Sequence, residues 1–341
     1  MKKRIISLAA AAVFVIGTLA GCGNSSTQTT DTTASSDASS SSGDLVTVRD
    51  AVMTGQLDQY ATEIGLWQGI FEKYGIDLQT TEFVAGINTI DAVVNGTADI
   101  GMMADYAAVN RLGNTLDATN LQIFSQISGG QAALSGGLYV DPKYADDPKS
   151  LDGSAGFMYQ EGTVTYYYAS KCIEYLGLDE SKQNLINTDS SQTRLALIQK
   201  GGASAVYANG SEAKYIEEAG WVQVATSQEI GIQTGSYFLS TDKYISENTD
   251  TLAKFLQAVD ESTQYINDHL DESAEYLADK LGLKAEDFKE NWKNYSFEPG
   301  FSEEATTHLE DIEKWGFEHG SFPKDYNIRD FINTDVAKIA F

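Results

Sequence analysis

Strand-like and helix-like hydrophobic patterns alternate along most of the chain. Leu45–Met53 reads as a strand, and a turn at Gly55 leads into helical spacing that reaches Glu72 before Gly75 ends it. Ile76–Phe83 reads as a second strand, Asn88–Val94 as a short helix stopped by Gly96, and Ala98–Met103 as a third strand. Tyr106–Leu112 has helical spacing, and Leu121–Ser128 is again strand-like. The middle third repeats the alternation. Gly137–Val140, Ala155–Tyr159, Leu185–Thr188, Ala203–Ala208 and Trp221–Ala225 read as strands, with helices at Thr163–Leu176, Gln192–Lys200 and around Glu212–Glu218. Gly235–Ser240 then reads as a return strand. Succession of this kind predicts α/β construction with mainly parallel sheets, and two such blocks predict two lobes rather than one open sheet.

From Thr251 the character changes. Leu252, Phe255, Leu256, Val259, Ile266 and Leu270 keep helical spacing, and Ala274–Lys280, Ala285–Tyr295 and Glu303–Phe317 read as further amphipathic helices with acidic outer faces. The expected organisation is residues 44–130 with 235–341 as one lobe, carrying the C-terminal helices, and 131–234 as the other.

The first residues read as an address. Lys2, Lys3 and Arg4 precede an apolar run from Ile5 to Ile16, the pattern of an export signal over residues 1–21. Leu19-Ala20-Gly21-Cys22 resembles a bacterial lipobox, which implies lipidation of Cys22 as the first mature residue. The Ser/Thr-rich stretch to Gly43 has no apolar face and reads as a flexible tether over 22–43. Together these predict a domain held outside the cytoplasm on the cell membrane by lipid.

Charge removes other classes. With 23 Lys and Arg against 49 Asp and Glu, the net charge of −26 opposes nucleic-acid binding. Two Cys and three His exclude disulfide scaffolds and zinc clusters. Cys172 shares a predicted helix face with Val164, Tyr168 and Leu176, a core position. His269, His308 and His319 all fall in the helical tail, and eleven residues of helix set His308 and His319 about 16 Å apart, too far for one metal. Phosphate-loop, dinucleotide, nucleophile-elbow and metalloprotease motifs are missing, and no His is expected near the strand tips. The expectation is a protein without catalysis, cofactor or metal.

Gly65-Leu66-Trp67 followed by Glu72-Lys73-Tyr74-Gly75-Ile76-Asp77-Leu78 resembles the "Gly-Leu-Phe … Glu-x-x-Gly-Ile-x-Val" segment of a solute-binding family. That family is the nitrate/sulfonate/taurine and thiamine-pyrimidine-precursor group of ABC importers. Asp91-Ala92-Val93-Val94-Asn95-Gly96-Thr97-Ala98-Asp99-Ile100-Gly101 is similar to its "Ala-Leu-x-x-Gly-x-x-Asp-Ile-Gly" element. Lys149-Ser150-Leu151-Asp152-Gly153 resembles the "Asp-Leu-Lys-Gly-Lys" opening of the second lobe, and Leu195–Ala205 the second "Ala-Leu-x-x-Gly-x-x-Asp-Ala", with Ser204 where the family often has Asp. The resemblance spans roughly residues 45–265. It implies a two-lobed, type II-like periplasmic-binding-protein fold of two mixed, mainly parallel sheets with flanking helices. It further implies ligand capture by hinge closure and delivery to an ABC permease, the binding protein being a monomer. A pyrimidine-synthase-like enzyme on the same fold, or a sensing lobe without transport, stands as the alternative.

Ligands in such folds meet the carboxyl ends of strands. That rule selects Gln56, Asp58 and Tyr60 after the first strand, Asp105 and Tyr106 after the third, and Ser128 and Gln131 after the fourth. In the second lobe it selects Glu161, Gly162, Thr163 and Tyr166, with Asn209, Ser211 and Glu212 after a later strand. For Asp105 and Thr163 the competing reading is a helix N-cap. Asp58, Asp105, Glu161 and Glu212 put four carboxylates at the tips with no Lys or Arg among them, so an amine-bearing or N-heteroaromatic ligand is expected over a sulfonate. Tyr60, Tyr106, Tyr166 and Tyr207 are available to stack on it.

Overall fold

The structure is a computed structural model that describes residues 45–116, 120–130, 136–151, 153, 156–293, 297 and 299–341. The export signal, Cys22, the tether and Gln131 lie outside the described residues.

The first block folds as β1 (Val46–Met53), α1 (Leu57–Trp67), α2 (Ile70–Lys73), β2 (Ile76–Phe83), α3 (Gly86–Val94), β3 (Ile100–Ala104), α4 (Asp105–Thr115) and β4 (Leu121–Gly130). The second comprises β5 (Gly136–Val140), β6 (Gly156–Tyr159), α5 (Val164–Tyr175), β7 (Asn184–Asn187), α6 (Ser191–Gln199), β8 (Ala205–Asn209), α7 (Gly210–Glu218), β9 (Val222–Thr226) and α8 (Ser227–Ile230). β10 (Thr234–Thr241) is the expected return strand. After it come α9 (Asp242–Glu247), α10 (Thr249–Asp268), α11 (Leu270–Leu281), α12 (Ala285–Trp292), α13 (Glu303–Glu318) and α14 (Asp335–Ala340).

Among the described residues, ten strands make two five-stranded sheets, ordered β2-β1-β3-β10-β4 and β7-β6-β8-β5-β9. In each sheet four strands point one way and one inserted strand opposes them: β10 lies antiparallel between β3 and β4, and β5 antiparallel between β8 and β9. The α/β architecture with mixed, mainly parallel sheets is therefore as expected, the opposed strand being the one that arrives from the other sheet.

Two local features differ from the sequence reading. The helix expected to run to Glu72 breaks after Trp67, because Gly69 takes a left-handed φ of 65° and restarts the chain as α2. The long apolar stripe likewise ends at Asp268, and Leu270 opens α11 instead. The rest of the stripe packs as read: Leu252, Phe255, Leu256, Val259 and Ile266 are all fully buried against the first sheet and α1. Cys172 is buried in the second block, where burial pushes its thiol well above the ordinary range. Among the described residues no helix is long and apolar enough to cross a membrane.

Both passages between sheets lie at the strand tips. β4 ends at Gly130 and β5 begins at Gly136, so five residues carry the chain from the carboxyl end of the first sheet to the second. At full extension that spans at most about 20 Å. β9 ends at Thr226 and β10 begins at Thr234, opposite Gly130 in the register. The arriving strand is packed tightly: a Cβ on Gly137 would lie 1.9 Å from the Ala225 carbonyl oxygen, and one on Gly136 would lie 2.3 Å from that of Ala208. Only glycine fits at these two places.

Candidate functional site

Asp105 is the first residue of α4, directly after β3, and it is 1% exposed. Its Oδ1 accepts from the Tyr106 N–H at 2.7 Å, and its Oδ2 accepts from the Gly235 N–H at 2.9 Å. The same Oδ2 lies 2.7 Å from His308 Nε2 on α13. One carboxylate thus ties together α4, the start of β10 and a C-terminal helix. This corrects the expectation that no His lies near a strand tip. His308 falls on the apolar stripe of α13 with Ala305, Leu309 and Ile312, so the helix turns it inward.

Aromatic rings close over this tie. Trp315 packs against Tyr106 at 6.0 Å, Tyr166 at 5.0 Å and Tyr167 at 5.4 Å between ring centroids. Tyr106 is buried, with its hydroxyl 3.3 Å from Ser321 Oγ. Burial first, and the Asp105 charge second, push the hydroxyls of Tyr167 and Tyr168 upward. Tyr207 packs on Tyr168 and reaches Ser227 Oγ at 3.0 Å, while Tyr60 stands edge-on to Phe288 at 5.0 Å. All four tyrosines expected to stack on a ligand pack against the protein's own rings, since a phenol ring at a buried strand end gains more from neighbours than from water.

The remaining tip residues divide by exposure. Gln56 is half-buried at the N-cap of α1 and makes no side-chain cap bond. Asp58 is completely buried: Oδ2 accepts from the Met53 N–H at 2.9 Å, and Oδ1 has no partner. Burial raises its pKa to about 7. Ser128 is bonded to Ser236 at 2.9 Å, across β4 and β10.

In the second sheet, Glu161 and Gly162 are exposed, and Glu161 exchanges hydrogen bonds with Asn187 at 3.0 and 3.2 Å. Thr163 caps α5, accepting from the Thr165 N–H at 3.3 Å. These residues border an opening of about 630 Å³ lined by Gln160, Glu161, Gly162, Asn187, Thr188, Asp189 and Thr193. Its lining is uncharged or acidic. Hydrogen bonds from Thr193 and Ser190 hold the Asp189 carboxyl below its ordinary range. Tyr166 is half-buried beneath, 4.6 Å from Tyr159. Asn209 opens α7 without a side-chain cap.

Glu212 corrects the charge inventory. Arg194 Nε donates to its Oε1 at 2.6 Å and Nη2 to its Oε2 at 3.1 Å, a two-pronged ion pair. Arg194 also reaches Thr188 Oγ1 at 3.3 Å and Ser191 Oγ at 3.1 Å, and it is only 6% exposed. The sequence reading missed it, although it sits four residues before Ile198 on the inward face of α6. Of the four expected tip carboxylates, Asp58 and Asp105 are buried and Glu212 is neutralised, which leaves Glu161 facing solvent. Glu212→Gln is expected to lower stability by about 2–3 kcal/mol by leaving a buried guanidinium underpaired, whereas the Arg194→Met/Glu212→Met double variant loses far less. Urea midpoints at constant m check this; equal losses in the two variants would remove the pairing argument.

The chain matches the family described as "NMT1/THI5 like" over residues 64–273. Similar solved structures include the periplasmic aliphatic sulphonate binding protein SsuA from Escherichia coli, at TM-score 0.70 and 17% identity over 84% of this chain and 92% of that one. The alkanesulfonate-binding protein SsuA from Xanthomonas axonopodis pv. citri, bound to MOPS, gives 0.63 at 14% identity over 86% and 99%. The periplasmic nitrate-binding protein NrtA from Synechocystis PCC 6803 gives 0.60 at 15% identity over 87% and 88%. No curated protein sequence matches the chain. These likenesses show the periplasmic-binding-protein fold, and by the extent of the sequence match the chain belongs to the NMT1/THI5-like family.

Proposed function

We propose that this protein is an extracytoplasmic solute-binding protein that takes a small organic ligand between two lobes and passes it unchanged to an ABC import permease. The lobes are residues 44–130 with 235–341, and residues 131–234. The observation that carries the reading is the position of both inter-sheet passages at the strand tips, one of them only five residues long. Short passages at that edge keep the carboxyl ends of the two sheets within reach of each other, and they are where a hinge can act. Export and lipidation at Cys22 would hold the protein at the membrane, where a permease is within reach of the tether.

The ligand favoured is amine-bearing or N-heteroaromatic. Arg194, the buried guanidinium behind the second sheet's tips, is saturated by Glu212, while Glu161 and Asp189 border the opening. A sulfonate there would meet the carboxylates of Glu161 and Asp189, with no Lys or Arg in the lining and only neutral donors such as Gln160, Asn187 and Thr193 to hold it. The relatives named for sulfonate and nitrate support the alternative, a sulfonate-type ligand.

Thermal unfolding against a panel of amines, N-heterocycles, sulfonates and amino acids tests the ligand class. A binder present at about 100 times its Kd adds about 2.7 kcal/mol and raises Tm by several degrees. A response from sulfonates only would overturn the amine assignment, and no response from any compound would overturn the binding function. Native mass spectrometry of protein from the membrane fraction is expected to show a single chain beginning at an acylated Cys22 and carrying its ligand unaltered. An unmodified Cys22 would sink the anchor.

A further inference from the structure

The tips of the first sheet end in an apolar lip. β1 and β2 finish side by side, with Met53 paired to Phe83 in the register, and both side chains are half-buried. Val84 follows at 85% exposure, the highest of any large hydrophobic side chain among the described residues, and Ile87 in the first turn of α3 stands at 43%. No charged residue occurs at 53–57 or 83–90. Hydrogen bonds brace the turn that carries the lip. The Thr54 N–H donates to the Phe83 carbonyl at 2.8 Å, the Asn88 N–H to that of Ala85 at 2.9 Å, and Thr89 Oγ1 to that of Gly86 at 2.8 Å. Single exposed apolar residues are ordinary, but two on one braced turn, with two more half-buried at the same tip, form a surface that gains from being covered.

Strand order places this lip. Both passages between the sheets join β4 and β10, on one side of the first, to β5 and β9, on one side of the second. β2 and β7 are the outermost strands on the other side of each sheet, away from the passages. The carboxyl end of β7 runs into Asn187, Thr188 and Asp189, which with Glu161 border the strand-tip opening. The side away from the passages therefore carries an uncharged apolar lip on one lobe and two carboxylates on the other. A small amine would be met by the second lobe and would leave Val84 and Ile87 in water. A plain hydrocarbon would leave the carboxylates unanswered.

We propose that the ligand is two-ended, with an ammonium held at Glu161 and Asp189 and a hydrocarbon arm that lies on Val84 and Ile87. Those two residues are then specificity-determining, favouring alkyl or arylalkyl amines over small polar ones. The proposal deepens the ligand reading above and rests on the strand-tip opening being the binding site. Taking the arm out of water contributes about fourfold in affinity for each methylene fully buried, and less for one that the lip covers on a single side.

Titration calorimetry of the full chain with n-alkylamines from ethylamine to octylamine, and with the matching n-alkanesulfonates, is the test. Affinity for the amines is expected to rise about twofold or more with each added methylene, and to stay nearly level along the series in the Val84→Ser/Ile87→Ser double variant. Both residues are exposed, so the variant keeps the fold, which an unchanged urea midpoint checks. Amines that bind the parent with no dependence on chain length overturn the hydrocarbon arm and leave the binding function intact. So does a double variant that weakens every amine by the same factor, because the lip would then close on the other lobe rather than on the ligand. Binding by the sulfonates alone overturns the two-ended amine together with the amine reading. Binding in neither series overturns the proposal, and joined to a silent panel in the thermal screen it overturns the binding function as well.

Discussion

Truncating Asp105 to alanine is expected to remove about 3 kcal/mol or more of stability, because three buried groups lose their hydrogen-bond partner at once. The loss follows from what the carboxylate holds. Its two oxygens accept from the N–H groups of Tyr106 and Gly235 and face His308 Nε2, and none of these groups has water to turn to. His308→Ala is the gentler change, at about 1–2 kcal/mol, because Asp105 keeps both backbone donors. Gly235 is the second residue of β10, the strand that returns from the second sheet, so the Asp105 variant should also widen the distribution of inter-sheet distances. Urea unfolding measures the first effect and small-angle scattering the second. A variant within 1 kcal/mol of the parent (about a fivefold change in the folding constant) would show that the tie contributes little.

The second large effect depends on pH. Asp50 on β1 and Asp58 at the start of α1 are buried, both Asp50 oxygens lack partners, and so does Asp58 Oδ1. Desolvation, then the Asp58 charge, raise the Asp50 pKa well above the ordinary range. For Asp58, burial moves the value from 3.8 to about 7. The native state therefore holds the Asp58 proton more tightly than the unfolded chain does. Well below 3.8 the carboxyl is protonated in both states and costs nothing. As pH rises from about 4 to about 7 the unfolded state releases the proton first, so stability is lost across that window and stays lost above it. The full cost is about 4 kcal/mol at 1.36 kcal/mol per pH unit.

Asp58→Asn removes this titration while its amide oxygen can still accept from the Met53 N–H. The variant should match the parent at about pH 3 and exceed it by up to about 4 kcal/mol at pH 8. Comparing the two chains cancels the exposed carboxylates that titrate in both. A stability difference that stays flat between pH 4 and 8 would rule the mechanism out. Ligand affinity should not change, because Asp58 lies beneath the strand tip rather than at its surface.

The alternation of strands and helices was readable because it depends on short-range periodicity. Leu252, Phe255, Leu256 and Val259 announce a helix face whatever they pack against. The return of the chain at Gly235–Ser240 was readable for the same reason. Thr163 proved to be the N-cap that its residue type allowed. The site was less legible. Arg194 and Glu212 lie 18 residues apart and Asp105 and His308 203 apart, and no spacing rule links them. In hindsight a polar residue on an apolar stripe was the signal for both: Arg194 in line with Ile198, and His308 beside Leu309. Counting Lys and Arg at the tips failed because it considered neighbours in sequence, whereas charges are satisfied by neighbours in space.

By itself the sequence determined the two α/β blocks, the helical tail and the family, since each follows from local patterns of side-chain type. Only the tertiary structure decided which strand of each sheet runs backward, which carboxylates are buried or paired, and which rings are already occupied. Those outcomes depend on pairings between distant segments, and the free energy of a buried charge is set by whatever the fold brings within hydrogen-bond distance of it.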